Sequence, residues 1–370
     1  MFEADRDPLA LISMAIRDSE RAIIGAGVLD RSGQFLDKNL GPRCAIVSDT
    51  NIAAHFGERL TKILKAAGFE PMLVTIPPGE QFKTLGQAGT ICDQMIASRL
   101  DRRSFVIGLG GGVIGDISGF VAAIFHRGIP HVQIPTTLLA MVDSSIGGKT
   151  GVNTGDGKNL IGAIHHPVLV IDDVDLLKTL PPREFNQGFA EIIKHAVTSD
   201  AEMFEEVARA SGSRDSKSAS RTHALPSLIR RNIEIKTALV AKDERDRSGE
   251  RALLNFGHTV GHAIERAGDY KTFLHGEAVS LGMVAACDIS MKKADLPQEQ
   301  RGAIVDLLRA FDLPTQLPSS FPREKIFEAL PLDKKFESGK VRFVVTPRIG
   351  SAYLSSDVTM EDLRQAILLL

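Results

Sequence analysis

The chain is 370 residues long, 43% hydrophobic and 24% charged, with a formal net charge of −2. That is an ordinary soluble composition, long enough for two domains with proper cores. The near-neutral balance gives no reason to expect nucleic acid or a membrane surface as partner, and no apolar run approaches the ~20 residues of a spanning helix.

In chain order, residues 1–40 predict a helical lead-in and then a short strand near Ala22-Ile23-Ile24. Cys44 to Ser48 has the pattern of a buried strand, closed by the turn and cap chemistry of Asp49-Thr50-Asn51. Ile52 to Ala67 reads as an amphipathic helix ended by Gly68. A strand at Met72–Ile76, a helix from Thr84 to Arg99 and a strand at Ser104–Leu109 follow. Alternating strand and helix indicate a parallel sheet with helices on its faces.

The strand ending at Leu109 runs into Gly110-Gly111-Gly112-Val113-Ile114-Gly115-Asp116, with a helix from Ile117 to Phe125 beyond it. Strand, glycine turn and helix start together make an anion site, because glycines let the backbone approach a phosphate and free amides point at it. The spacing is not the GxGxxG fingerprint, and a tight turn alone would also use glycine. A nucleotide pyrophosphate is the expected guest. His131 to Thr137 is a strand ending in hydroxyls, and Asp143 to Asn153 is polar, glycine-rich and loop-like. Its GGKT run lacks the leading glycine spacing of a Walker loop. Val168 to Asp172 is a further strand, and Leu180-Pro181-Pro182 marks a break.

Beyond Pro182 strand signals nearly vanish, so the domains are expected at 1–182 and 183–370. Glu184 to Val197 is helical, Ser211 to Ser220 a mobile polar loop, Pro226 to Lys242 helical, and Asp243 to Glu250 a charged connection. Val341–Val345 is a late strand and Glu361–Leu370 a closing helix. Three of the ten histidines, His258, His262 and His275, fall in one short window. His258 and His262 are four apart, a spacing that places both on one helix face and can hold a divalent metal. One packed and one exposed histidine would give the same spacing. Thr259 stands where the protease form of the motif needs glutamate. The cysteines Cys44, Cys92 and Cys287 form no CxxC pair, and the acidic N-terminus lacks the basic start of a signal peptide. A reducing, cytoplasmic setting is expected.

Eight ordered blocks resemble one family: PPGEQFK (77–83), GGGVIGD (110–116), IPTTLLAMVDSSIGGKTGVN (134–153), GKNLIGA (157–163), LKTLPPRE (177–184), GFAEIIKHA (188–196), LLNFGHTVGHAIE (253–265) and HGEAV (275–279). Together they resemble the 3-dehydroquinate synthase family over nearly the whole chain. The resemblance implies an α/β chain: a Rossmann-like, parallel-sheet NAD-binding domain, then a mainly α-helical metal-binding domain, in a homodimer. The implied reaction converts 3-deoxy-D-arabino-heptulosonate 7-phosphate to 3-dehydroquinate and phosphate in the shikimate pathway. NAD is oxidant and then reductant within one turnover, and one zinc or cobalt ion assists.

The resemblance assigns the metal to Glu191, His258 and His275, which moves His262 from the metal to the substrate phosphate. It assigns the nucleotide to Asp49, Asn51, Glu80, Lys83, Gly111, Gly112, Val113, Gly115, Asp116, Thr136, Thr137, Lys149, Lys158, Leu176, Leu177, Lys178 and Thr179. Lys236 and Arg251 would hold the substrate carboxylate. Lys149, Asn159, His262, Lys334 or Lys335, and Arg127 of the other subunit would hold its phosphate. Asp143, Lys194 and Asn255 would lie near the ring hydroxyls. Between Lys236 and Asn255 this chain has one residue more than the family pattern. Two rival readings are another sugar phosphate cyclase and a metal-dependent polyol dehydrogenase. Lys236 and Arg251 would lack their anion in the first, and the charged phosphate pocket argues against the second.

Overall fold

The computed structural model describes residues 11–17, 20–155, 157–211, 219–243, 250–330, 336–337 and 340–370. They fall into two compact units. One takes the chain to Leu180 together with Leu225–Ile233, and the other takes Pro181–Ala224 and Glu234–Leu370.

The first unit is built on a seven-stranded sheet. Its strands are β1 (Ile12–Arg17), β2 (Glu20–Gly25), β3 (Arg43–Asp49), β4 (Glu70–Ile76), β5 (Phe105–Gly110), β6 (His131–Pro135) and, after a separate hairpin of β7 (Lys149–Thr154) and β8 (Gly157–Ile164), β9 (Leu169–Asp173). The order across the sheet is β1-β2-β9-β6-β5-β3-β4. Only β1 pairs antiparallel; the other neighbours are parallel. Successive side chains on a strand face opposite ways. In β3, Cys44 and Ile46 therefore enter one apolar cluster while Ala45 and Val47 enter the other. Asp172 and His131 are among the ionisable residues sealed into this sheet. Asp172 in β9 is fully buried with neither carboxylate oxygen hydrogen-bonded, and burial holds its acid well above the usual carboxylate range. His131 in β6 is fully buried and stacks on His165 at 5.0 Å. Burial, with His165 and His166 nearby, brings its pKa down to about 3.

The second unit is mainly helical. Its helices include Pro182–Ser199, Ala201–Ser211, His258–Ala267, His275–Lys293, Gln298–Ala310, Arg323–Ala329 and Met360–Leu369. A small antiparallel sheet of β10 (Phe336–Glu337), β11 (Lys340–Arg348) and β12 (Ser351–Val358) completes it. Pro182 sits in the first turn of its helix, where a missing amide hydrogen costs nothing. No helix among the described residues is long and apolar enough to cross a membrane.

Several expectations change. The lead-in is strand β1 rather than a helix over residues 12–17. The helix after the glycine run begins at Gly112, not Ile117, so the glycines themselves form its first turn. The loop-like stretch from 149 is one half of the β7–β8 hairpin. Strand β12 is an addition to the expected elements; its run of Ser, Ala and Asp residues lacks the alternating pattern of a strand. Residues 212–218 of the expected loop, 244–249 of the charged connection, and Lys334 and Lys335 lie outside the described residues.

The last helix is fixed by a charged cap. Thr359 Oγ1 accepts from the Asp362 amide at 3.2 Å, and Asp362 accepts from the Thr359 amide at 2.9 Å. Lys292 and Lys293 reach the same carboxylate at 2.7 and 3.0 Å. Burial opposes the charge, but these partners hold Asp362 below the usual carboxylate range. A depressed folded value stabilises the chain fully above the unfolded pKa near ~4, and that stability is lost progressively as pH falls from there through the lower folded value. Asp362→Asn should therefore cost about 1–2 kcal/mol at neutral pH. In urea melts, the gap from the parent chain should shrink progressively from roughly pH 5 downward and still persist in part at roughly pH 3.

Candidate active site

In the first unit, β3 connects outward to edge strand β4, and the chain then returns to the other side of β3 as β5. The strand order thus reverses at β3 and β5, and in open parallel sheets the crevice beyond the strand ends at such a point takes nucleotides. Asp49 ends β3, Gly110 ends β5 and Thr136 follows β6. Glu80 and Lys83 lie in the turn after β4, and Leu176–Thr179 in the turn after β9. The sequence-assigned nucleotide residues Asp49, Glu80, Lys83, Gly111 to Asp116, Thr136 and Leu176 to Thr179 therefore follow the ends of the parallel strands. The helix Gly112–Ile124 has Gly111 as N-cap with no side-chain cap, so its first amides are open to an anion. A Cβ on Gly111 would meet the Thr137 methyl at 3.1 Å, and one on Gly112 the Ser144 hydroxyl at 3.1 Å. The Thr136 hydroxyl is buried with no hydrogen-bond partner among the described residues.

Around this turn the side chains are organised by charge. Lys83, 3% exposed, pairs with Asp116 at 2.8 Å and Glu80 at 3.3 Å. Glu80 also accepts from Asn153 at 2.7 Å, and Asn153 in turn accepts from the Asn159 amide at 3.0 Å. Burial pushes Glu80 upward, yet Lys83 and Lys158 keep it below the usual range. Some assigned residues also make structural contacts. The Asp49 carboxylate caps Asn51 and Ile52, Lys178 pairs with Asp175, and Leu176 and Leu177 are buried. Thr179 donates to the Leu176 carbonyl at 3.1 Å. Asp143 lies in the turn Ala140–Ser144, Lys149 begins β7, and Lys158 and Asn159 begin β8. Arg127 is exposed, and with His126 forms two consecutive left-handed residues at φ 70° and 47°. Such backbone is costly without glycine.

In the second unit three helices bring Glu191, His258 and His275 together, their ligating atoms all within 4.8 Å of one another. Glu191 is fully buried. One of its oxygens accepts from the Lys194 ammonium. The other, Oε1, lies 3.3 Å from His258 Nε2 and 3.6 Å from His275 Nε2 but receives no well-directed hydrogen bond. The far nitrogens explain why. His258 Nδ1 is 3.2 Å from the Phe256 carbonyl, and His275 Nδ1 is 3.1 Å from the Glu265 carboxylate. Both partners are acceptors, so each Nδ1 keeps a proton, and each ring when neutral turns its Nε2 lone pair toward Glu191. Three acceptors converging in a buried site need a cation between them. One carboxylate and two imidazoles suit a catalytic zinc with coordination positions left open.

The electrostatics agree. Burial would raise Glu191, but Lys194 and His258 hold it well below the carboxylate range. Burial lowers His258 despite Glu191. Burial also acts to lower His275, yet Glu265 and Glu191 outweigh it and bring the value to about 10. A positive charge is wanted there, from a proton or a metal. His262 is exposed and lies across from both rings, at 5.2 Å from His258 and 6.0 Å from His275. It forms a second possible group with Glu265 and His275, but Glu265 already faces His275 Nδ1. Lys236 and Arg251 are buried cations of this unit, and Asn255 ends the turn before His258. Glu265 was not picked out from the sequence. Its place three residues after His262 and seven after His258 puts it on their helix face, and that was the available signal.

Comparisons with known proteins fit this architecture. The fold is that of the sugar phosphate cyclases. A 2-epi-5-epi-valiolone synthase from Streptomyces hygroscopicus subsp. jinggangensis, with NAD+ and Zn2+ bound, matches with a TM-score of 0.85 and 28% identity over 97% of this chain and 98% of that one. A 2-deoxy-scyllo-inosose synthase matches with a TM-score of 0.86 over 97% and 99%, but at 23% identity it shows the fold alone. The family models described as 3-dehydroquinate synthase N-terminal and C-terminal match residues 73–187 and 188–336. A 3-dehydroquinate synthase of Nostoc punctiforme is 46% identical over 340 residues, 92% of this chain and 93% of that protein. One from Thermodesulfovibrio yellowstonii is 43% identical over 352 residues, 94% and 96% of the two chains. This chain therefore belongs to the 3-dehydroquinate synthase family, a family of enzymes.

The geometry separates three side chains by metal content. Purified His258→Ala should be metal-depleted, because a ligand is removed, whereas folded His262→Ala should retain metal. Glu265→Gln should weaken zinc about 10- to 100-fold in competition with a chromogenic chelator, through loss of the carboxylate that orients His275. Metal loss in His262→Ala with retention in His275→Ala would reverse the assignment.

Proposed function

We propose that the chain is a 3-dehydroquinate synthase, a carbon–oxygen lyase that converts 3-deoxy-D-arabino-heptulosonate 7-phosphate to 3-dehydroquinate and phosphate in the shikimate pathway. The observation that carries this, beside family membership, is the convergence of Glu191, His258 and His275 with their lone pairs fixed toward one point. Glu191, His258 and His275 would hold a zinc or cobalt ion, and the glycine turn at Gly111–Gly112 with Glu80, Lys83 and Asp116 would hold NAD. When bound, the cation would polarise a substrate hydroxyl and NAD would supply a reversible oxidation at the same carbon.

The chain's own residues supply position and charge. Lys194 keeps Glu191 ionised by engaging one oxygen, which leaves the other for the cation. Lys194, with Asp143 and Asn255, would orient the ring hydroxyls. Lys236 and Arg251, buried cations at 6% and 4% exposure, match the substrate carboxylate. Lys149, Asn159, His262 and a Lys334 or Lys335 amine would bind the phosphate. Arg127 would reach the phosphate of the partner protomer in a homodimer, which gives its strained, exposed turn a role. Residues 1–182 would be the nucleotide domain and 183–370 the metal and substrate domain. A cytoplasmic location is consistent with the cysteines, all three of which are free.

Incubation with the heptulosonate phosphate and a trace of NAD should release stoichiometric phosphate, with 3-dehydroquinate identified by NMR. Absorbance at the NADH band should show no net rise, because the cofactor is restored in each turnover. Chelation should stop phosphate release, and zinc or cobalt should restore it. A rise in NADH matching product would move the chain to the dehydrogenases, and full activity in a verified metal-free preparation would remove the metal from the proposal.

A further inference from the structure

The nucleotide crevice lies at the C-terminal ends of the parallel strands. The opposite edge of the same sheet, where β3, β4, β5 and β6 begin, holds a separate concavity of about 450 Å³. Lys38, Arg102 and Arg103 line it, with Phe69, Pro42 and Pro130 among its apolar walls, and none of the lining residues is acidic. Strands β3 and β5 each run from this edge to the crevice, so the two places are separated by roughly 20 Å at ~3.3 Å per residue.

Lys38 and the backbone that carries the two exposed arginines are held in place. Gly41 has φ 99°, and a Cβ there would fall 1.6 Å from the Arg103 carbonyl oxygen, so the loop before β3 lies backbone to backbone against the turn before β5. That contact brings the loops carrying Lys38 and Arg103 to one concavity. The Lys38 ammonium donates to the Ala67 carbonyl and stands 4.1 Å from the centre of the Phe69 ring. Nearby carboxylates are already engaged. Asp101 accepts from the Arg103 amide at 2.8 Å and Ser104 Oγ at 3.3 Å, and Glu70 pairs with Arg43 at 3.0 Å. Among the described residues neither the Arg102 nor the Arg103 guanidinium makes a hydrogen bond or an ion pair.

We propose that this concavity binds a small dianionic phosphate compound, a phosphate monoester or a diphosphate. Two guanidinium forks and an ammonium match phosphate oxygens in geometry and charge. The volume exceeds that of a bare ion and falls in the range of small-molecule sites, and Phe69, Pro42 and Pro130 offer apolar surface to the rest of the molecule. The site does not depend on the catalytic assignment above.

Calorimetric titration of the full chain with pyrophosphate and with glucose 6-phosphate tests it and distinguishes diphosphate from monoester. At least one probe should bind, and Arg102→Gln/Arg103→Gln should weaken that binding tenfold or more. Arg323→Gln/Lys325→Gln, which removes two positive charges from the other unit, should leave it unchanged. Affinity should fall as salt rises. Absence of binding to the parent chain, equal affinity in the Arg102/Arg103 variant, or an equal loss in the control variant overturns the proposal.

Discussion

The metal cluster depends on three helices approaching at backbone distance. A Cβ on Gly276 would fall 2.1 Å from the Gln187 carbonyl oxygen, and one on Gly282 would fall 1.9 Å from that of Gly257. Any side chain at these points would push the helices Pro182–Ser199, His258–Ala267 and His275–Lys293 apart. Imidazole and carboxylate side chains are short, so an ångström of helix separation would break the convergence on Glu191. Polar contacts then fix the register of the close-packed backbones. Arg183 grips Glu277 through two bonds of 2.6 Å, and Gln187 accepts from the Gly276 amide at 3.2 Å. Rigid elements, rather than loops, therefore carry the ligands, which is what precise coordination requires.

The two units recognise charge by different means. In the first, main-chain amides at an uncapped helix start and a buried Lys83–Asp116–Glu80 group surround a glycine turn. Backbone donors are fixed and cannot titrate. In the second, side chains do the work, and the carboxylate of Glu191 is divided between a permanent cation, Lys194, and the imidazoles of His258 and His275. Lys194 thereby prevents a proton from settling on Glu191, whose burial would otherwise favour the neutral acid.

Much of the fold was legible because buried parallel strands such as Val106–Leu109 and Val170–Ile171 are continuous apolar runs between helical patterns. The β7–β8 hairpin was not, because Lys149-Thr150-Gly151 and Gly157-Lys158-Asn159 have the composition of a loop and pair only locally. The helix start at Gly112 was hidden by glycine's low helix propensity, which packing overrides here. Of the site, the histidine window stood out by spacing alone, but spacing paired His258 with His262. Glu191 looks like any helix glutamate; only its burial and its two imidazole neighbours distinguish it, and those are tertiary facts. The family resemblance supplied that assignment where periodicity could not. The basic concavity was invisible, since Lys38 and Arg102-Arg103 are far apart in the chain and meet through the turn at Gly41.

The sealed Asp172 and His131 make folding an acid–base reaction. Burial favours the neutral acid of Asp172 in the folded sheet, whereas the unfolded chain would ionise it above about pH 4. Forming the sheet at neutral pH therefore draws a proton from the buffer. His131 acts in the opposite sense: the unfolded imidazole is charged below about pH 6.5, and folding must strip that proton. Between about pH 4 and pH 6.5 the two exchanges oppose each other, and above that range the contribution of His131 fades. The heat measured for unfolding will then contain the ionisation enthalpy of whichever buffer receives that proton, so phosphate and Tris would return different calorimetric enthalpies for the same structural change.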